Sequence, residues 1–444
     1  MSEARQELHD PGAMIALQNR GVIMPQMHTV AIGADVPLDA IAAGAVLHPG
    51  TRLYGARTRI DAGAELGPGG AAVVDDSWVC AGARVGTLGP VRLERTVVGP
   101  HASLGCGSAE YAVFLGNPPG SAHDTAGYGF RVRKGSLYEE GAGSAQHTDT
   151  KMTILMPWVT LGSNLNWCDI LVAGGTGPRD FSEVGSGAIH FNFTPRGDKA
   201  TASMLGNVRQ GVFLRGQRIF VGGNGSVVGP LRAEFGALSA AGARLVGDLK
   251  PGLNLGQAGG AEAGPLRDYD PALIGAGFRR VVPSQLRIIG ELAALHAWYG
   301  QVRARIAGNG AGDNAGGDAA RVALYARGAD LVAANITERI TRLEEYVALL
   351  PASAALHEGA GSAELAAAQR GLADGWPALR AKLEGWRGAH TEAPAALLEA
   401  LDAAGAAQGG EYTATIQALP DGAVVAGSAW LGGIADGLAE VWEG

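Results

Sequence analysis

Apolar positions in the first half of the chain recur at neither helical nor alternating-strand spacing. Ile41, Leu47, Leu53, Ile60, Leu66, Val73, Val79, Val85, Val91, Val98 and Leu104 follow one another at steps of six or seven residues, separated by small residues and glycines as in "LGPGGA", "VCAGAR" and "VGPHAS". A helix would set apolar residues three and four apart, and a half-buried strand two apart. The pattern is that of a hexapeptide repeat. Three hexads close one triangular coil of short parallel strands, the aliphatic points inward onto its counterpart one coil away, and glycines turn the corners. The run predicts nearly four coils.

The repeat breaks over 105–150, where "GNPPGSAHDTAGYGF" predicts an inserted loop on an otherwise rigid scaffold. Hexad-like spacing returns at Val184, Leu205, Val212, Val221, Val228 and Phe235. The expected organisation is an N-terminal segment over 1–25, a β-helix over 26–260 and an α-helical C-terminal domain over 283–444. The first helix is expected in "PSQLRIIGELAALHAWYGQVRARI" (283–306), starting at Pro283-Ser284. A flexible break is expected at 308–317, "GNGAGDNAGG", and further helical text at 318–350, 364–387, 394–405 and 428–442.

Composition narrows the function classes. The 444 residues include 70 glycines without a Gly-X-Y period, and 47% are hydrophobic, which excludes collagen and wholesale disorder. With 35 basic against 43 acidic residues and no clustered basic face, nucleic acid and anionic membranes are not expected as partners. A small anionic substrate stays open. Neither a signal peptide nor a membrane span is read from the pattern, so the expected compartment is cytoplasmic. Cys80, Cys106 and Cys168 form no CxxC and suit neither a disulfide framework nor a zinc knuckle.

The stretch "VGSGAIHFNFTPRGDKA" (184–200), followed over 219–245 by "IFVGGNGSVVGPLRAEFGALSAAGARL", resembles the acetyltransferase half of the bifunctional UDP-N-acetylglucosamine pyrophosphorylase/glucosamine-1-phosphate N-acetyltransferase family. That resemblance implies a left-handed parallel β-helix, a homotrimer and an acyltransferase. It also implies acetyl-CoA as co-substrate and a sugar phosphate or nucleotide sugar as acceptor. The family's Ile-Gly-Ala-Gly-Thr-Ile-Thr-Cys-Asn-Tyr-Asp-Gly aligns with Val184 to Pro195, so Asn192 takes the place of the asparagine near the acetyl group. Gly223, where the family has serine, and Ala241 match positions whose backbone touches acetyl-CoA. Aligning the family's Leu-Gly-Asp turn with "LVAGGT" puts Asp169 where the catalytic histidine would stand.

An amine acceptor must lose a proton to attack a thioester, a task that suits a histidine better than an exposed aspartate. Asp169, among the apolar residues of "NWCDILVAG", needs either a partner or a raised pKa. His190 is the second candidate base if its ring points into the same cleft, and is otherwise a packing histidine. Arg131, Arg133 and Lys134 suit a phosphate or pyrophosphate, or are rim cations in surface salt bridges. His147, Asp149 and Lys151 alternate and would share one strand face. Glu183 and Lys199, at the two ends of the 184–200 stretch, complete the substrate-binding candidates. No metal is expected, because His123, His147 and His190 are not at ligand spacing. The chain also lacks GxSxG, GxxxxGK[ST] and a nucleotidyltransferase signature. Two alternatives to acyl transfer stand beside it: a nucleotide-sugar binding or scaffold protein on the same solenoid, and an enzyme of different chemistry.

Overall fold

The computed structural model describes residues 8–120, 123–256, 270–308 and 318–442. The described residues between 31 and 254 form a parallel β-solenoid of about 12 turns, and those between 278 and 439 make up a helical region. The chain divides into two compact units, Met1–Trp167 with Gly177–Ala188, and Cys168–Thr176 with Ile189–Gly444.

The first unit opens with helix α1 (Pro11–Asn19). The Asp10 carboxylate accepts the Ala13 N–H at 2.8 Å, and Pro11 occupies the first helical turn, where no donor is needed. Its coils are held by three internal ladders. Leu47 lies on Leu66, Leu66 on Val85 and Val85 on Leu104; Ile60, Val79 and Val98 form the second, and Leu53, Val74 and Leu93 the third. All of these are fully buried, each worth roughly 1.5–3 kcal/mol relative to exposure. The third ladder corrects one hexad assignment. Val74 rather than Val73 points inward, and Val73 pairs with Arg52 and Arg92. The coil step is slightly longer than three hexads because the corners "GPGGA" and "GTLGP" carry additional residues, and a slip of one residue exchanges the faces.

The loop expected over 105–150 is coil instead. Strands Ser103–Glu110, Val113–Phe114, Ala126–Val132, Leu137–Tyr138, Gly143–Ser144 and Thr148–Leu155 continue the solenoid. One ladder runs Leu104, Ala126, Ser144, and its neighbour runs Val98, Phe114, Tyr138, Leu155. Here one wall shrinks to alanine and serine while the next swells to two aromatic rings in edge contact at 5.2 Å. The inward positions persist while the aliphatic signature is lost. Residues 121–122 of the expected loop lie outside the described residues.

Gly107 sits where the register shifts between Ser103–Glu110 and Ala126–Val132, at φ 148°, with the Phe130 carbonyl where a Cβ would stand. Gly107→Ala is expected to destabilise the first unit by about 1–3 kcal/mol, read from the urea midpoint. An unchanged midpoint would mean that the two strands part there without loss.

In the second unit the solenoid ladder runs from His190 onto Val227 and Leu245, and from Leu205 onto Ala233. Three expected positions shift. Val227 replaces Val228 as the inward residue, Phe235 lies beyond the inward Ala233, and Val212 closes the short helix α2 (Val208–Gly211). Helix α3 (Phe278–Trp298) begins before Pro283, which lies inside it, because buried Phe278 and Val282 extend the apolar stripe upstream. A π turn at Tyr299–Arg303 leads into α4 (Ala304–Gly308). Residues 309–317 of the expected break lie outside the described residues.

Helix α5 (Ala319–Val347) is capped by Asp318, and α6 (Leu350–Gly359), α7 (Ala363–Glu384), α8 (Ala395–Ala407), α9 (Tyr412–Gln417) and α10 (Asp421–Ala439) follow. Neither α6 nor α9 stood out as a helix of its own in the sequence pattern. By length and composition α10 could cross a membrane. It lies instead against α3, with Trp430, Leu431, Ile434 and Leu438 buried. Gly290 of α3 admits the Ala435 carbonyl where a Cβ would collide with it.

Candidate functional site

The residues expected to carry catalysis all belong to the second unit. Asp169 lies in strand Leu165–Val172 with φ 57° and is 4% exposed. Its two carboxylate oxygens are both taken. Arg339 of α5 donates Nη2–H to Oδ1, and Asn192 donates Nδ2–H to Oδ2. The partner that the apolar setting of Asp169 demanded is therefore an arginine from the helical region, itself 3% exposed. Arg339 Nε and Nη1 are buried and meet no acceptor among the described residues.

His190 does not face outward from the coil. It occupies an inward ladder position, between exposed Ile189 and Phe191 and one coil from Val227. Nδ1 meets the Cys168 carbonyl, and Nε2 meets Ser203 Oγ at 2.8 Å. Ser203 Oγ in turn accepts the Leu231 N–H at 2.9 Å. Burial holds the imidazole down to about 4. The Cys168 carbonyl and Asp169 pull the other way, and Arg339 adds to the lowering. The ring is neutral at physiological pH and serves as an internal bracket between coils.

The other expected residues are distributed as follows. Arg131, Arg133 and Lys134 belong to the first unit, where Arg133 Nε binds Asp149 at 2.7 Å and Arg131 lies 3.9 Å from the same carboxylate. Asp149 and Lys151 share the outer face of strand Thr148–Leu155, whose intervening Thr148 and Thr150 are buried. His147 precedes that strand at a left-handed corner, φ 52°, and its ring packs edge-on against Tyr128 at 5.6 Å. Glu183 pairs with Thr160 in a two-residue strand. In the second unit Lys199 is half-buried. Gly223 and Ala241 occupy a stacked corner, where the Gly223 carbonyl accepts the N–H of Gly242 at 2.8 Å. Among the described residues no group of three or more His, Cys, Asp and Glu side chains could hold a metal ion.

A concave site that sequence reasoning did not anticipate lies in the first unit. A groove of about 500 Å³ is walled by Tyr128, Trp158, Phe181 and Leu88, with His123, Asp124 and Gln146 along it. Successive coils bring these scattered residues together. Asp124 Oδ1 accepts from Ser103 Oγ at 2.7 Å, and His123 Nε2 meets the Gly141 carbonyl at 3.2 Å. Asp124 Oδ2 and the Gln146 amide have no partner among the described residues and are open to a ligand. The lining contains neither lysine nor arginine. Knowing the coil step, one could have found Tyr128 by its place one coil from His147, whose N–H binds the Tyr128 carbonyl at 2.7 Å.

No protein-family model matches the chain, and no curated protein matches its sequence.

Proposed function

We propose that the chain is a saccharide-binding β-solenoid and that a neutral sugar occupies the aromatic groove of the first unit. The observation that carries this reading is the groove's composition: three aromatic rings beside an open amide and carboxylate oxygen, with no cation. A pyranose offers C–H faces to aromatic rings and hydroxyls to amide and carboxylate groups. The diphosphate of a nucleotide sugar would find no charge partner there. Acyl transfer, with acetyl-CoA bound between the subunits of a trimer, is the rival that the resemblance implies. It has less support, because Asp169 is held by Arg339 and Asn192, and the His190 ring is buried inside the coil with both nitrogens engaged.

The test is titration with N-acetylglucosamine, UDP-N-acetylglucosamine and acetyl-CoA in turn, followed by calorimetry and tryptophan fluorescence. Saturable binding of the free sugar is expected. Exposed Tyr128 can be replaced without opening the core, and Tyr128→Ala is expected to weaken sugar binding roughly tenfold through the lost ring contact. Sugar binding untouched by that change would overturn the assignment of the groove. Acetyl-CoA binding with acetyl transfer, and no sugar binding, would restore the acyltransferase.

A further inference from the structure

A second groove, of about 580 Å³ and polar where the first is aromatic, lies within the second unit. Arg209, Arg232, Arg287, Glu234, Glu291 and Asp436 reach it, with Phe235 and Pro251 as apolar wall. The pairing of its charges is uneven. Arg209 takes two acids, binding Asp436 through both terminal nitrogens at 2.8 and 2.7 Å and Glu291 through Nε at 2.9 Å. Glu291 is completed by the N–H groups of Val208 at 2.8 Å and Arg209 at 3.3 Å. Lys250 holds Glu234 at 2.6 Å, and Arg232 Nη2 holds Asp248 at 3.1 Å.

Arg287 is left over. It stands on α3 one turn before Glu291, the spacing at which an ion pair would form, but Arg209 already occupies that carboxylate. No hydrogen bond or ion pair joins Arg287 to any described residue, and it is half-buried. Arg232 Nε, beside it, is buried without an acceptor. Burial and the nearby Arg232 push the Arg287 guanidinium below its ordinary value, with Asp248 and Glu291 opposing and Arg209 adding to the lowering. A half-buried fork of donors facing a polar cavity, with every neighbouring carboxylate already engaged, matches the geometry of an oxyanion.

We propose that this groove binds the phosphate or pyrophosphate group of a small molecule, with Arg287 as its principal donor and Phe235 and Pro251 against the organic part. The site is separate from the aromatic groove and does not depend on the saccharide reading.

The experiment is calorimetric titration of the full chain with inorganic pyrophosphate at neutral pH and fixed ionic strength. Saturable binding is expected for the unaltered protein, and Arg287→Gln should weaken it at least about tenfold. Arg287→Lys keeps the charge but loses the fork, so its affinity should fall between the two. Arg327→Gln removes an exposed arginine of α5 and should bind pyrophosphate as the unaltered protein does. The unfolding midpoint of each variant verifies its fold. The proposal is overturned if the unaltered protein gives no saturable heat, or if folded Arg287→Gln binds with undiminished affinity.

Discussion

Replacing Arg339 with alanine is expected to lower the stability of the second unit by about 3–5 kcal/mol. Arg339 and Asp169 are each 4% exposed at the side chain and pair across 170 residues of sequence. Deleting the guanidinium strands a carboxylate where water cannot solvate it, and Asn192 alone cannot neutralise it. Combining Arg339→Met with Asp169→Asn should recover most of the loss, since a neutral pair of similar volume has no charge to desolvate. Asparagine also tolerates the left-handed backbone at position 169. Measured beside the single variants Arg339→Met and Asp169→Asn, the double variant closes a cycle that isolates the pair, and urea unfolding followed by circular dichroism reads it. A single-variant loss below about 1 kcal/mol, the size of an exposed salt bridge, would mean that water reaches Asp169. Its candidacy as a proton acceptor would then revive.

That pair also shows where the sequence stops being legible. The Leu47–Leu66–Val85–Leu104 ladder is readable because each inward position is aliphatic and its neighbours are small. Val73 and Val74 are adjacent valines, so spacing alone could not choose the inward one. Over 105–150 the repeat persists in the backbone while its residue types change, with Phe114 and Tyr138 on one ladder and Ala126 and Ser144 on the next. The need of Asp169 for a partner was legible from its apolar setting. The identity of that partner was not, because Arg339 lies on an amphipathic helix whose buried face also holds Asn335 and Ile336, and nothing local distinguishes an inward arginine there. Both grooves are likewise assembled from residues on different coils or helices, so no contiguous motif announces them.

His190 supplies the second large effect, in the form of pH dependence. Its folded-state value is about 4, below the ordinary 6.5, so between those values the unfolded chain binds a proton that the folded chain refuses. Stability then rises with pH: the contribution of His190 is fully present above about 6.5 and is lost as pH falls toward 4. The shift corresponds to about 3 kcal/mol across that window. His296 is also pushed down to about 4 by burial, with His390 and Arg387 adding, and it shares the window; its greater exposure makes its share smaller. The carboxylates that ion pairs hold below their ordinary values, Glu65, Asp76, Glu234 and Asp436, lose their contributions at still lower pH. The drop between pH 6.5 and 5 therefore belongs to the histidines. His190→Gln can keep a donor toward the Cys168 carbonyl without a titrating ring, and it should flatten most of that drop, whereas His296→Gln should remove the lesser part. A stability profile level from pH 7 to 5 in the unaltered protein would mean that His190 titrates normally. It would then be open to solvent, and the acyltransferase reading would regain its base.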